Sequence, residues 1–476
     1  MTATKTAFLF RRDLRLYDNV GLRAALEQGE VLPVFCLDPR QGPGHRYFST
    51  FGFGFMADSL RDLDDQLRSL GSALELLPMR SDELPAWLKE RGIGSLVWNR
   101  DYTPFSLQRD GALEAACSAH GIETASFNDS VLYEPGSVRQ PSGDGYKVFT
   151  PFYKRAITLP VERPQPLPAD VRFAAASDAS AGWDRLAAIE AVCGSKPRLR
   201  GGRKMAELHL NRIESLVDYD ALRNLPGVEG TTELSPHLKF GTVSPREVCW
   251  RSRDAHGQGH GIERELHWRE FFLHLCNQFP QVYGRPFRPE FEAVAWRNDP
   301  SDWARWVEGS TGYPIVDAGM RELAQTGSMH NRVRMIVASF LVKDLRVSWL
   351  TGARWFWDTL VDANLAANTL GWQWAGGCGA DAAPYFRIFN PQSQGERFDP
   401  EGAYVRRYVP ELARIPSDLI HAPADADAAT LVRAGVDLGA NYPEPIVDHA
   451  EARVLALAAL KTVTAAKEKP DKPRRR

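Results

Sequence analysis

Three observations predict an α/β N-terminal domain with a parallel sheet, followed by an all-α C-terminal domain. At 476 residues the chain is too long for one compact core, so two or three domains are expected. Its first 130 residues alternate short apolar runs with helical patterns. Beyond about residue 201 the short runs stop and long amphipathic stretches replace them.

Taken in order, Phe8-Leu-Phe10, Val31–Leu37, Leu74–Leu77 and Ser95–Trp98 are runs of the length and composition of buried strands. Leu22–Leu26, Phe55–Leu70 and Gly111–Ala119 carry helical spacing between them. Alternation of this kind is the pattern of crossover connections in a parallel, Rossmann-like sheet. No G-x-G-x-x-G follows the first strand, so the usual dinucleotide fingerprint is missing. Residues 131–200 are rich in Pro, Gly, Ser and Ala (Pro160, Pro164, Pro166, Pro168, then Ala174–Ala181) and read as an interdomain connector. Helical stretches are then expected over Glu263–Phe279, Ile315–Gln325, Asn331–Val347 and Trp355–Asn368, in a domain covering 201–460. Residues 461–476, ending Lys-Pro-Arg-Arg-Arg, read as a charged, disordered tail.

Composition excludes several classes. With 43% hydrophobic and 25% charged residues the chain is neither disordered nor collagenous. No apolar run approaches the ~18 residues needed to span a bilayer, and the short Phe8–Phe10 run is no signal peptide. Six scattered cysteines without metal-ligand spacing suggest free thiols in a reducing compartment, and hence a cytoplasmic protein. The net charge of −2 gives no global field for nucleic acid, so any such surface must be local. Tryptophan stands out: ten of the 13 fall between Trp250 and Trp374.

Two helical faces carry candidate chemistry. On a wheel of 100° per residue, Val333, Ile336, Val337, Phe340 and Asp344 lie opposite Asn331, Arg332 and Met335. The second group is either a solvated face or the wall of a pocket for a planar ligand with amide edges, such as a base. Glu265, Trp268, Arg269 and Phe272 form a second stripe at i, i+3, i+4 and i+7. Here the alternatives are an exposed Glu265–Arg269 pair of ~0.3–0.5 kcal/mol and a carboxylate beside a stacking indole. The segment Asp362–Arg387 adds polar residues on a helix expected to end at Gly371, two indoles two residues apart, and a glycine-rich turn.

Five motifs then stand in order: Phe10–Asn19, Glu229–Ser235, Trp268–Phe272, Met329–Met335, and Gly371–Trp374 through Asn390-Pro391. Together they closely resemble the photolyase/cryptochrome family over about residues 6–460, in particular its cyclobutane-pyrimidine-dimer photolyases. The resemblance implies FAD in the helical domain and light-dependent repair of UV-damaged DNA, in which electron transfer from reduced FAD splits the dimer. It places FAD contacts at Tyr219, Thr231, Thr232, Glu233, Leu234, Ser235, Arg334, Asp362, Ala363, Asn364 and Asn368. Many relatives carry a second Asp where this chain has Asn364, which removes a charge beside the flavin. The implied lesion site comprises Glu265, Trp268, Asn331, Arg332, Met335 and Trp374, with Arg223, Arg332 and Arg387 facing phosphates. Glu265 and Asn368 take the catalytic positions, and Trp372, Trp349 and Trp296 match an electron relay.

Within the family, relatives that repair (6-4) photoproducts have histidines where this chain has Asn331 and Met335. Signalling cryptochromes of plant type usually carry Asp where it has Asn368, so repair is favoured over signalling. Phe356–Asp362 and Gly376–Asp381 look most like the class III photolyases. Positions that hold an antenna folate in class I relatives are here about Ser106, Val282 and Tyr283. Because class III relatives bind folate differently, methenyltetrahydrofolate is the favoured antenna, with a deazaflavin or a second flavin as alternatives. A monomer with no membrane partner is expected.

Overall fold

A computed structural model describes residues 5–45, 47–175, 180–194, 197–382, 384 and 387–467. Five strands form one parallel sheet: β1 (Lys5–Phe10), β2 (Val31–Cys36), β3 (Glu75–Leu77), β4 (Ile93–Asn99) and β5 (Glu123–Phe127), in the order β3-β2-β1-β4-β5. Leu9 pairs with Val34 on one side and with Trp98 on the other. Successive side chains feed opposite faces. Phe8, Phe10, Phe35 and Val97 enter one buried cluster; Ala7, Leu9, Val34 and Trp98 enter the second. Both faces are dry, which is why these strands read as continuous apolar runs.

The chain forms two compact units. One comprises Met1–Val217, Thr232–Pro280 and Trp357–Leu365; the other comprises Asp218–Thr231, Gln281–Phe356 and Ala366–Arg476. The first unit is held at the carboxyl edge of its sheet by a buried ion network. Arg15 Nη2 donates to both oxygens of Asp129 at 2.7 Å, with both side chains 1% exposed. Arg246 donates to Asp129 at 2.8 Å and to Asp18 at 3.0 Å. One carboxylate thus joins the segments after β1 and β5 to the Pro245–His256 helix.

The second unit is helical. Its helices include Pro300–Glu308, Pro314–Thr326, Asn331–Ser339, Pro391–Phe398 and His449–Lys467. Proline opens three of them, where a missing N–H costs nothing, and Gly309 and Gly327 close the first two in left-handed conformation. No helix among the described residues is long and apolar enough to cross a membrane. No disulfide joins the six cysteines.

Several expectations are corrected. The 131–200 connector contains the helices Phe149–Ala156 and Ser180–Cys193, and Phe173 bridges to Val31 at the sheet. Loop-like composition hid two short elements whose apolar residues pack on the first unit. The Asn331–Val347 stretch is an α-helix only to Ser339; Phe340–Asp344 widens to a π-turn, and Arg346 stops it at φ 52°. Trp355–Asn368 breaks at 360–364 between the helices Trp349–Thr359 and Leu365–Gly376. Gly371 does not end the latter; it is tolerated inside the helix at a cost of about 1 kcal/mol, and Gly377 at φ 74° follows the true end. Of the expected tail, 461–467 continue the last helix, while 468–476 lie outside the described residues.

Removing one member of a buried charge network leaves its partners unpaired and desolvated. Asp129→Ala, which strands Arg15 and leaves Arg246 with Asp18 as its one carboxylate partner here, is expected to lower unfolding free energy by about 3–5 kcal/mol in urea titration.

Candidate functional site

In the first unit the Gly261–Gln278 helix carries the expected stripe. Glu263, Leu266, His267, Glu270 and Phe271 are buried, whereas Glu265, Trp268, Arg269 and Phe272 are half-buried. Buried carboxylates fix the rotation. Glu263 accepts from Arg253 Nη2 at 2.6 Å and from the Gly259 N–H at 2.8 Å. Glu270 accepts from the Leu132 and Tyr133 N–H groups at 2.9 and 3.2 Å and pairs with Arg269 at 3.2 Å. Burial pushes Glu270 up to about 7 despite Arg269 and those amides. Trp268 lies flat on Phe149, with ring centroids 3.6 Å apart and planes 9° from parallel.

The Thr232–Ser235 loop enters a short helix at Ser235. Thr232 Oγ1 accepts from the Leu234 N–H at 3.4 Å, Leu234 is buried, and Ser235 Oγ donates to Asp362 Oδ2 at 2.7 Å. Asp362, Ala363 and Asn364 occupy the break between helices; Ala363 is buried and Asn364 lines a small cavity with Lys239 and Arg269. Glu233 sits at φ 55°, and its carboxylate is held by Arg198 and by Arg212 at 3.1 Å. Burial pushes it up, but those arginines outweigh burial and draw it below the usual carboxylate value. Its side chain thus braces the loop.

In the second unit Tyr219 is buried with Arg223 over its ring at 5.5 Å, and Thr231 is half-buried. The Asn331–Ser339 helix follows the expected wheel: Val333, Ile336 and Val337 are buried, Asn331 is exposed, and Arg332, Arg334 and Met335 are half-buried. His330 caps this helix, its Nδ1 accepting from the Arg332 N–H at 3.2 Å. Arg332 donates to Asn224 Oδ1 at 2.6 Å, lies 4.3 Å over the Phe398 ring and sits 3.8 Å from Met335 Sδ. Arg334 Nε donates to the Met329 carbonyl at 2.7 Å. Burial and the charges of Arg223 and Arg397 lower Arg332. Burial together with Arg334, Arg332 and Arg223 lowers His330 to about 4. This is the local basic patch that the net charge concealed. Arg387 is exposed, its carbonyl accepting from Lys343 at 2.7 Å.

Asn368 Nδ2 donates to the Ala353 carbonyl at 2.8 Å. Trp372 and Trp374 lie two residues apart on one helix, so they point to different sides: Trp372 is buried and Trp374 half-buried, its ring 6.5 Å from Phe389. Trp372 packs on Gly352, where an added Cβ would lie 2.2 Å from its ring. Of the expected relay, Trp349 is also buried and Trp296 half-buried. The Trp372 ring meets Phe356 at 4.9 Å and Trp306 at 6.2 Å; Trp306 stacks on Trp303 at 5.4 Å, and Trp303 meets Trp355 at 6.1 Å.

Phe149, Trp306 and Arg397, neighbours of the expected residues, and Trp303 beside Trp306 were not singled out by the sequence. The spacing of Trp303 and Trp306 at i, i+3 could have flagged one helical face; Phe149 and Arg397 carry no sequence signal beyond their type.

A parallel sheet in a unit that also carries a carboxylate–indole stripe, and a helical unit with an arginine cluster and several packed tryptophans, define a class of two-part proteins. Residues 6–169 match the DNA photolyase model, and residues 262–462 match the FAD binding domain of DNA photolyase. A deoxyribodipyrimidine photo-lyase of Agrobacterium fabrum is 40% identical over 95% of this chain and 97% of its own length. Cryptochrome-1 of Arabidopsis thaliana is 36% identical over 94% of this chain and 69% of its length. The crystal structure of a bacterial class III photolyase from Agrobacterium tumefaciens superposes with TM-score 0.88 at 37% identity, covering 98% of both chains. The chain belongs to the photolyase/cryptochrome family.

The lowered basicity of His330 is a stability term with a definite sign. Its neutral ring forms the cap, so the associated stability is full above pH 6.5 and is lost as pH falls toward about 4. Arg332→Leu removes one repelling charge and is expected to move His330 upward from about 4, read by NMR titration of the imidazole.

Proposed function

We propose that this chain binds FAD and uses blue or near-UV light to split cyclobutane pyrimidine dimers in UV-damaged DNA, as a photolyase of the class III type. The observation that carries this reading is the half-exposed stripe on the Gly261–Gln278 helix, where Glu265 and Trp268 stand one turn apart while Glu263 and Glu270 are buried. A carboxylate next to an indole suits a base that must be stacked and hydrogen-bonded at once.

The donor set fits FAD in kind. In the first unit Asp362, fixed by Ser235, and Asn364 offer acceptors for a flavin imide, and Thr232 and Ser235 offer hydroxyls. In the second unit Tyr219, Thr231, Arg334 and Asn368 offer hydroxyls, a cation for phosphate or carboxylate, and an amide oxygen. When bound, reduced FAD supplies a light-driven electron donor. Among the protein's own groups, Glu265 shares a hydrogen at the pyrimidine carbonyl and imide, which stabilises charge gathering on the lesion. Trp268 and Trp374 offer stacking surfaces of ~1–3 kcal/mol per base. A fused dimer pairs poorly, so taking it out of the duplex costs little. Arg223, Arg332 and Arg387, joined by Arg397, hold phosphates without reading sequence. Asn331 and Met335 meet the base edge with an amide and a soft thioether.

Trp372 is the buried end of the electron relay, with Trp349 and Trp296 as the expected steps. A signalling role gains nothing from Asn368, whose amide has no carboxylic proton to give. For the antenna, methenyltetrahydrofolate remains the favoured group. A deazaflavin or a second flavin is the alternative. This reading takes the protein as a cytoplasmic monomer.

Glu265→Ala is expected to keep FAD and dimer binding but lower the repair quantum yield several-fold, because only the charged intermediate loses its partner. Photolysis of a dimer-containing oligonucleotide with the fully reduced variant measures this; an undiminished yield would remove Glu265 from the reaction. Trp372→Phe should abolish light-driven reduction of oxidised FAD, followed by absorbance, while chemically reduced enzyme still repairs.

A further inference from the structure

The indole assigned to the lesion is not an isolated side chain. Phe149 lies parallel to Trp268 at 3.6 Å, and Tyr153, one turn further along the same short helix, stacks on Phe149 at 5.6 Å and 22°. Phe149 is 1% exposed, whereas Trp268 is half-buried. Phe271 meets the edges of both Trp268 and Phe149 at 5.9 Å, with planes at 77° and 69°. An indole at the end of such a ladder cannot rotate about its ring plane without breaking contacts on one face and at its edge. Phe149 belongs to a segment whose Pro, Gly and Ser content marks it as a connector.

We propose that Phe149 is a positioning residue for lesion recognition: by covering one face of Trp268 it fixes the indole plane and leaves a single face to stack on one base of the extruded dimer. The inference rests on the reading of Trp268 as a base-stacking residue. Its physical content is preorganisation. A free indole must be ordered when the base arrives, and that entropy is subtracted from binding; an indole already clamped between a phenyl ring and the helix loses little. A one-faced platform also sets stoichiometry, because a second base cannot enter the side that Phe149 occupies.

The effect should appear in discrimination between damaged and intact DNA, since phosphate contacts serve both. Dissociation constants are measured in the dark, at one fixed salt concentration, for a duplex with a single cyclobutane thymine dimer and for the same duplex undamaged. Phe149→Leu, which keeps apolar bulk but removes the ring plane, is expected to reduce the ratio of the two constants about tenfold. Phe149→Tyr, which restores the plane, should hold that ratio within about twofold of the original chain. In a Trp268→Ala background, Phe149→Leu should cause no further loss, because its effect passes through the indole. Near-UV circular dichroism checks that each variant is folded, and Phe149→Met replaces Phe149→Leu if the latter is not.

The proposal is overturned if folded Phe149→Leu discriminates as well as the original chain while Trp268→Ala does not. It is equally overturned if the two losses add. Should Trp268→Ala itself discriminate normally, the base-stacking reading of Trp268 fails first and the role of Phe149 with it.

Discussion

The rotational setting of the Gly261–Gln278 helix is the constraint on which the proposed lesion-facing stripe of Glu265 and Trp268 depends. Glu263 and Glu270 lie seven residues apart, nearly two full turns, and so share one face. Each is fully buried and each is met by a guanidinium and at least one backbone N–H. Turning the helix by a single position would carry both carboxylates away from these partners, at a cost of several kcal/mol for each charge left unpaired. Glu265 and Trp268 are therefore held on the opposite, half-exposed side by groups that take no part in the chemistry. The cost of burying those charges is visible in Glu270, which is pushed up to about 7.

A different principle organises the helical unit. Burial depresses both Arg332 and the capping His330, and the neighbouring charges of Arg223, Arg334 and Arg397 add to it. Concentrating like charges opposes folding, and stability alone gives no reason to keep them together. An anionic polymer that enters the patch relieves this repulsion, so the same term that weakens the free protein strengthens its complex with phosphate. The overall charge of −2 shows how completely a local field can be hidden in a balanced total.

Much of this was legible in the sequence because the signals were periodic. The four strands recognised from apolar runs are present, β5 escaped because its Thr is exposed and its Ala and Ser are only half-buried, and both helical stripes present the residues that the 3.6-residue repeat assigns. Punctuation was less reliable. Gly371 read as a stop, yet it lies inside a helix; the real break at 360–364 contains no glycine or proline and carries the Asp362–Asn364 segment instead. Motif resemblance put Glu233 among the cofactor contacts, but only coordinates could show Arg198 and Arg212 holding its carboxylate. Phe149 was hidden for another reason: stacking across 119 positions of sequence leaves no local pattern, and its neighbours look like linker.

What unites these features is a protein that turns absorbed light into bond cleavage on DNA. The most direct measurement is turnover: limiting amounts of the reduced, FAD-loaded chain, an excess of oligonucleotide containing thymine dimers, and a count of dimers lost under blue light and in darkness. Loss of many dimers per chain in the light, with none in the dark, is the expected result. A protein that binds flavin and damaged DNA yet leaves the dimers intact under illumination would contradict the account.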